Sequence, residues 1–269
     1  MTAMLVQLFR WCDRCFRIVT QGLTALHQGL WQGLLRPTDL DALTRTYYDQ
    51  VSKYKNPEYN LAGLFEWERD VLAKHFPPGS HVLIAGAGGG REMIGLCRCG
   101  YQVDGFDCND GCVRDGTRLL EQLGLDCRLM LAPPGALPEG LTTYDGVIVG
   151  WGAYMHIVGS IRRRAFLRQI RAVLRDGSPI LLSFFVRTGT SRTQTCVVRL
   201  ANAIRYLRGG ERVEAGDWLS GSFDHHFTEE EIRSELRDAG FQMVAFTAIG
   251  HGVAVGLAAS VPGAGRVQT

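Results

Sequence analysis

Lysine is almost missing from this chain of 269 residues: Lys53, Lys55 and Lys74 stand alone among 29 basic side chains. The excess of arginine is read first as a base-composition bias of the coding genome, because the charge itself is balanced, at a formal +2. A nearly neutral chain has no need of a polyanionic partner, and nucleic acid is not expected. The sequence also has no uninterrupted apolar run of the ~20 residues needed to cross a bilayer. It has no internal repeat, and its N-terminal segment shows neither the clean apolar stretch nor the cleavage site of a secretory signal. The expected setting is cytoplasmic and reducing, with contact at a membrane surface left open by the N-terminal segment. What the chain has in quantity is apolar residues, 46% of the total, enough for the core of one α/β domain.

Eight cysteines raise the questions of metal and disulfide. Structural zinc needs four convergent ligands, usually as two close pairs. The spacings at Cys12–Cys15, Cys97–Cys99 and Cys108–Cys112 do not combine into such a set, and Cys127 and Cys196 stand alone. Free cysteine behaves as a small hydrophobe, so buried thiols and no metal are expected.

The stretch His81–Asp110 carries the most information. An apolar run, Val82-Leu83-Ile84-Ala85, ends in Gly86-Ala87-Gly88-Gly89-Gly90. A helix-compatible segment follows, then a second short strand, Val103 to Phe106, that stops on Asp107. Strand, glycine turn, helix, strand and acid form the first half of a nucleotide-type cofactor site in a doubly wound fold. Glycine lets the backbone turn sharply and approach a ligand with no Cβ in the way. A dinucleotide fingerprint asks for glycine at the first, third and sixth positions of the turn. Counted from Gly86 the sixth is Arg91, which argues against a nicotinamide-dependent oxidoreductase, whereas Gly86, Gly88 and Gly90 occupy the first, third and fifth positions.

That pattern, with Asp107 downstream, resembles the class I (Rossmann-like) S-adenosylmethionine (SAM)-dependent methyltransferases. The resemblance spans roughly residues 45 to 260. Tyr144 to Val149 falls where the family has its fourth strand, and Gly150 to Ile157 is the loop leaving it. A helix capped by Ser160 and the strand Ile180 to Val186 come next. A helix with a capping box at Thr228 and Glu231 follows, then the strand pair Phe241–Phe246 and His251–Ala258. The fold implied is α/β: a doubly wound, mostly parallel seven-stranded sheet with a terminal antiparallel strand, plus an N-terminal helical extension. The domain limits expected are an extension at 1–40, a methyltransferase domain at 41–262 with a lid or substrate insert at 187–224, and a flexible tail at 263–269.

The resemblance implies SAM as cofactor and methyl transfer to a small-molecule or lipid-like acceptor. It places Gly86, Ala87, Gly88 and Gly90 on the methionine side, Asp107 on the ribose and Trp151 at the rim. The aromatic segment before the first strand offers Tyr48 and Tyr54 to the SAM carboxylate or sulfonium, with Tyr47 and Tyr59 beside them. Two family positions differ here. Ile84 stands two before the first glycine, where an acid is usual, and Glu92 is the nearest substitute carboxylate. Ala132-Pro133-Pro134 follows the third strand where many members carry an acid for the adenine. Ile84 is the main support for the alternative of a non-catalytic binding or assembly subunit that keeps the fold. An oxygen acceptor needs a base; His156, in the loop after the fourth strand, is the first candidate and His226 the second.

In the first forty residues Leu5, Leu8, Cys12, Cys15, Val19, Leu23, Leu26 and Leu30 recur at spacings of three and four, the signature of one apolar helix face. Phe9, Trp11, Phe16 and Trp31 widen it, with Arg10, Arg14 and Arg17 between. Three readings stay open: a helix lying in a membrane interface, a helix that pairs in a homodimer, and a cap, broken near Gly22 or Gly29, that packs on its own domain. The arginines from Arg162 to Arg175 are expected on the solvated face of an outer helix.

Overall fold

A computed structural model describes residues 2–260; the tail expected at 263–269 lies outside the described residues. Seven strands form one sheet: β1 (His81–Ala85), β2 (Gln102–Asp107), β3 (Arg128–Leu131), β4 (Gly146–Val149), β5 (Pro179–Phe184), β8 (Phe241–Thr247) and β9 (Gly252–Ala258). Their order is β3-β2-β1-β4-β5-β9-β8, and β9 runs antiparallel to both its neighbours. The expected fold is therefore observed. A separate antiparallel hairpin joins β6 (Asp217–Leu219) to β7 (Phe223–His225).

Strands buried on both faces read as continuous apolar runs, and successive side chains go to opposite faces. Along β1, Val82 and Ile84 meet Leu72 of α4 (Glu66–His75), Met93 of α5 (Arg91–Arg98) and Leu120 of α6 (Asp110–Gln122). Leu83 and Ala85 face the other layer, with Phe166 and Ile170 of α7 (Ser160–Ala172) and Leu236 of α9 (Glu229–Asp238). The capping box of α9 forms as expected: Thr228 Oγ1 accepts from the Glu231 N–H, and the Glu231 carboxylate accepts from the Thr228 N–H at 2.7 Å.

At the start of α7 the structure corrects the sequence. The cap position is Gly159, at φ +80°, and Ser160 is the first helical residue. The cap is instead supplied from afar, by Glu214, whose carboxylate accepts from the Ser160 N–H at 2.9 Å. One turn on, Arg163 is not on the solvated face. It is 1% exposed, donating to Glu235 of α9 at 2.7 Å and to Glu214 at 2.7 Å. Tyr154 donates to the same Glu235 carboxylate. A buried guanidinium needs such partners on every side, because removing a charge from water without them is costly.

The N-terminal segment forms one unbroken helix, α1 (Thr2–Leu34), continuous through Gly22 and Gly29 where a break was expected. Its C-terminal third packs on α8 (Arg192–Arg208). A Cβ on Gly29 would stand 2.9 Å from Leu200, and one on Gly33 2.8 Å from Ile204. The glycines serve close helix approach, not a bend. Among the described residues no helix is long and apolar enough to cross a membrane.

Burial alone would raise the Glu214 carboxyl, but Arg163 and the Ser160 N–H hold it down, to about 2 from an ordinary 4.5. A carboxyl depressed in the folded state adds stability above its unfolded value, and that stability is lost as pH falls toward the folded one. Thermal midpoints of the wild type should therefore fall between about pH 4.5 and about 2. Glu214→Gln should be less stable at neutral pH and decline less steeply across that window. Parallel pH profiles for the two proteins would refute the assignment.

Candidate active site

The ends of β1, β2 and β4 converge on a single cleft, about 1050 Å³ with its open mouth, in the size range of small-molecule sites. Its floor is the turn after β1. The Gly86 and Ala87 N–H groups both donate to the Phe106 carbonyl, at 2.8 and 2.9 Å, which ties the turn to β2. Gly86, Gly88 and Gly90 have φ of +77°, +53° and +91°, the left-handed region that costs other residues about 1–2 kcal/mol. A Cβ on Gly88 would meet nothing within 4 Å; the space above it is the cleft. A Cβ on Gly89 would instead lie 2.2 Å from the Tyr54 carbonyl oxygen, so the aromatic segment before β1 rests directly on the turn.

Asp107, at the tip of β2, accepts from the Gly88 N–H through Oδ2 and from the Asn109 N–H through Oδ1, both at 2.8 Å. Burial pushes its carboxyl pKa up, against the pull of these N–H donors and of Cys108. Each oxygen keeps a further lone pair, and the side chain faces the cleft. Pro133 and Pro134 form an apolar wall on the β3 side.

The opposite side is covered by α2 (Pro37–Gln50) and the turn after it, through Thr44, Arg45, Tyr48 and Tyr54. The insert at 187–224, expected to stand over the pocket, contributes no lining residue. Its helix α8 is committed to α1, and only the β7 end reaches the cleft's surroundings. There it meets His156. This side chain sits in a 3-10 turn, Ala153–His156, with Nε2 2.7 Å from the Tyr48 hydroxyl. Its Nδ1 is 2.8 Å from the Phe223 carbonyl and 3.2 Å from Asp224 Oδ1. Two acceptors at Nδ1 select the tautomer protonated there, so the Tyr48 hydroxyl donates to Nε2. Burial, then the neighbouring Tyr54 and Asp224, raise the Tyr48 pKa well above that of an ordinary phenol and keep its proton in place.

Of the residues expected at the site, Gly86, Gly88, Asp107, Trp151, Tyr48, Tyr54 and His156 line the cleft. Ala87 and Gly90 lie behind it as supporting backbone. Glu92 is turned away: its carboxylate accepts from Arg91 at 2.6 Å and from the Trp151 N–H at 3.3 Å, inside the wall. Arg91 in turn pairs with buried Glu68. His226 is not brought to the cleft; its ring packs beside Phe185, at 5.3 Å between centroids. Sequence reasoning missed Asp224 and Tyr48 as partners of His156, because they lie 68 positions after it and 108 before it, with no motif joining them. Only Cys112 among the cysteines is buried, so the expectation of buried thiols fails for the others. One cluster among the described residues has metal-ligand types in reach, Glu214, Asp217 and His225. Arg163 already neutralises Glu214 and Asp217 accepts from His225 Nδ1 at 2.6 Å, so it forms a closed polar network.

The strand order, the left-handed glycine turn and the acid at the end of β2 define a class I, Rossmann-like methyltransferase fold. Residues 82–177 match the family model described as methyltransferase domain, and the chain belongs to the SAM-dependent methyltransferase superfamily. Solved structures share its fold. The 1,6-didemethyltoxoflavin-N1-methyltransferase of Burkholderia thailandensis, with 1,6-didemethyltoxoflavin and S-adenosylhomocysteine bound, is 20% identical with a TM-score of 0.59, over 84% of this chain and 92% of that one. Magnesium protoporphyrin IX methyltransferase from Synechocystis, with SAM bound, is 16% identical with a TM-score of 0.53, over 82% and 98%. An amino pentose methyltransferase from Micromonospora echinaspora, also with SAM bound, is 15% identical with a TM-score of 0.52, over 78% and 96%. No curated protein matches the chain by sequence.

The residues present fit SAM: an open glycine cradle at Gly88, a carboxylate with free lone pairs at Asp107, and aromatic hydroxyls across the cleft. Two measurements check this. Gly88→Ala should stay folded, its thermal midpoint lowered by roughly 2–8 °C for about 1–2 kcal/mol of backbone strain, while SAM affinity by calorimetry drops at least about tenfold because the new methyl enters the cleft. Since the ionised form of Asp107 accepts from ribose, SAM affinity should begin to fall at a higher pH than an ordinary carboxylate would give, by about tenfold per unit below its pKa. Asp107→Asn should remove that pH dependence; unchanged affinity in both variants would separate these residues from the cofactor.

Proposed function

We propose that this protein transfers the methyl group of SAM to a small-molecule or lipid-like acceptor that carries a protic oxygen or nitrogen. The observation that supports this reading is the chain Asp224–His156–Tyr48, whose hydroxyl end opens into the same cleft as Gly88 and Asp107. The bound cofactor supplies an electrophilic methyl carbon on a sulfonium centre. Everything else is the work of the protein. The glycine turn and Asp107 fix the cofactor's position, and the cover from α2 limits water. Holding two reactants in line is worth about 7–11 kcal/mol of barrier.

Proton removal from the acceptor runs through side chains already in contact. The acceptor X–H donates to Tyr48 Oη as the Tyr48 O–H proton moves to His156 Nε2, which leaves Tyr48 a neutral phenol and His156 an imidazolium. Asp224, beside Nδ1, stabilises that cation, and the Phe223 carbonyl fixes the ring. General-base assistance of this kind contributes about 10²–10⁴-fold. His156 acts as the base and Tyr48 as the group that touches the acceptor.

The test has two stages. Calorimetric titration with SAM and S-adenosylhomocysteine, against Asp107→Ala, establishes the cofactor site. An acceptor screen with methyl-labelled SAM, starting with phenols, amines and lipids, then supplies an assay. Tyr48→Phe and His156→Gln should each lower kcat about 10²-fold or more, leaving SAM affinity within about threefold, and Asp224→Asn should lie between them and the wild type. If SAM binds but neither variant changes kcat, the relay is wrong. If neither ligand binds to folded protein, the non-catalytic scaffold is the better account.

A further inference from the structure

Helix α1 leaves an apolar face uncovered along nearly its whole length, about 50 Å at 1.5 Å per residue. Its contact with α8 does not use that face. The docked positions are Gln28, Gly29, Gln32 and Gly33, all buried. Gln28 donates to the Leu219 carbonyl at 2.7 Å and Gln32 to that of Asp217 at 3.2 Å. At 100° per residue these lie about a quarter turn from the apolar stripe. Phe9, Trp11 and Phe16 are 68, 65 and 67% exposed, and Leu23 and Leu26 are 61 and 56% exposed even beside the docked turns. So large a contiguous apolar surface on a folded protein marks an interaction site.

The shape and charge of this face select its occupant. The apolar side chains from Met4 to Leu30 fill about half of the helix circumference, with Phe9 and Phe16 at one edge and Trp11 and Ile18 at the other. A two-helix seam buries a much narrower stripe and would leave both aromatic edges in water. The opposite half carries Arg10, Arg14 and Arg17 against a single acid, Asp13, which pairs with Arg17. A broad apolar half with aromatic edges and a cationic half is the pattern of a helix lying in a lipid–water interface, its arginines reaching anionic headgroups. We infer that α1 docks this protein onto an anionic membrane surface, the helix axis in the plane of the bilayer. The inference is independent of the catalytic reading and stands or falls on α1 alone.

The experiment uses the full chain with vesicles of phosphatidylcholine alone and of phosphatidylcholine with 30% phosphatidylserine. The expected result is co-flotation with the anionic vesicles, weakened by salt, with a blue shift of tryptophan emission that is smaller in Trp11→Phe. Arg10→Gln with Arg14→Gln should weaken binding by about thirtyfold, and Phe9→Ser with Phe16→Ser should abolish it. Circular dichroism and the thermal midpoint verify that these surface variants remain folded. Absence of binding by folded, helical wild-type protein overturns the proposal. So does micromolar self-association by sedimentation that Phe9→Ser with Phe16→Ser removes, since a second copy would then be the occupant.

Discussion

The position of β1 in the middle of the sheet is the constraint on which the site depends. Paired in parallel with β2 on one side and β4 on the other, it brings three chain exits to one edge. The Gly86 and Ala87 N–H groups reach the end of β2, and the Gly150 N–H reaches the Ala85 carbonyl at 2.8 Å. Asp107 then receives the Gly88 N–H, so the same hydrogen bond that closes the turn also orients the carboxylate. A loop alone could not hold these groups with such economy of contacts, because its backbone would need other partners.

A second constraint is ionic. Arg163 joins α7 to α9 and to the segment after α8, and Tyr154, two residues before His156, is bonded into the same cluster. The turn carrying His156 is thus anchored on its far side while Tyr48 and β7 fix the ring. Buried ion pairs are weak sources of stability but strict about geometry, which suits a residue that must hold one tautomer. The methionine end of the cleft is built differently from the family pattern. Ile84 is fully buried in the core and Glu92 is occupied by Arg91, which leaves the hydroxyls of Tyr48 and Tyr54 as the polar groups facing the glycine turn.

The two additions to the minimal fold answer each other. The insert was read as a cover because it leaves the sheet on the ligand side. Instead α8 supplies the platform for α1, and Arg205 donates to the Gln32 and Leu35 carbonyls at the C-terminal end of α1. The cover comes from α2, which follows α1 directly. The catalytic cleft and the exposed apolar helix therefore share one mechanical connection, through Leu34 to Pro37.

The sequence by itself determined the sheet, the glycine turn, the ribose acid and the class of protein, because these rest on local periodicity, on glycine at left-handed positions, and on spacing within one strand–turn–helix–strand unit. The capping box at Thr228 and Glu231 was legible for the same reason. What only the tertiary structure decided are contacts between distant segments: His156 with Tyr48 and Asp224, Arg163 with Glu235, the cap on Ser160 from Glu214, and the pairing of α1 with α8. None has a signature in the chain, since an arginine bound for the core and one bound for solvent look alike until the element packed against it is known. The amphipathic pattern of α1 was visible from the start, but that α8 uses its glycine and glutamine side, and leaves the apolar side open, is a fact of packing.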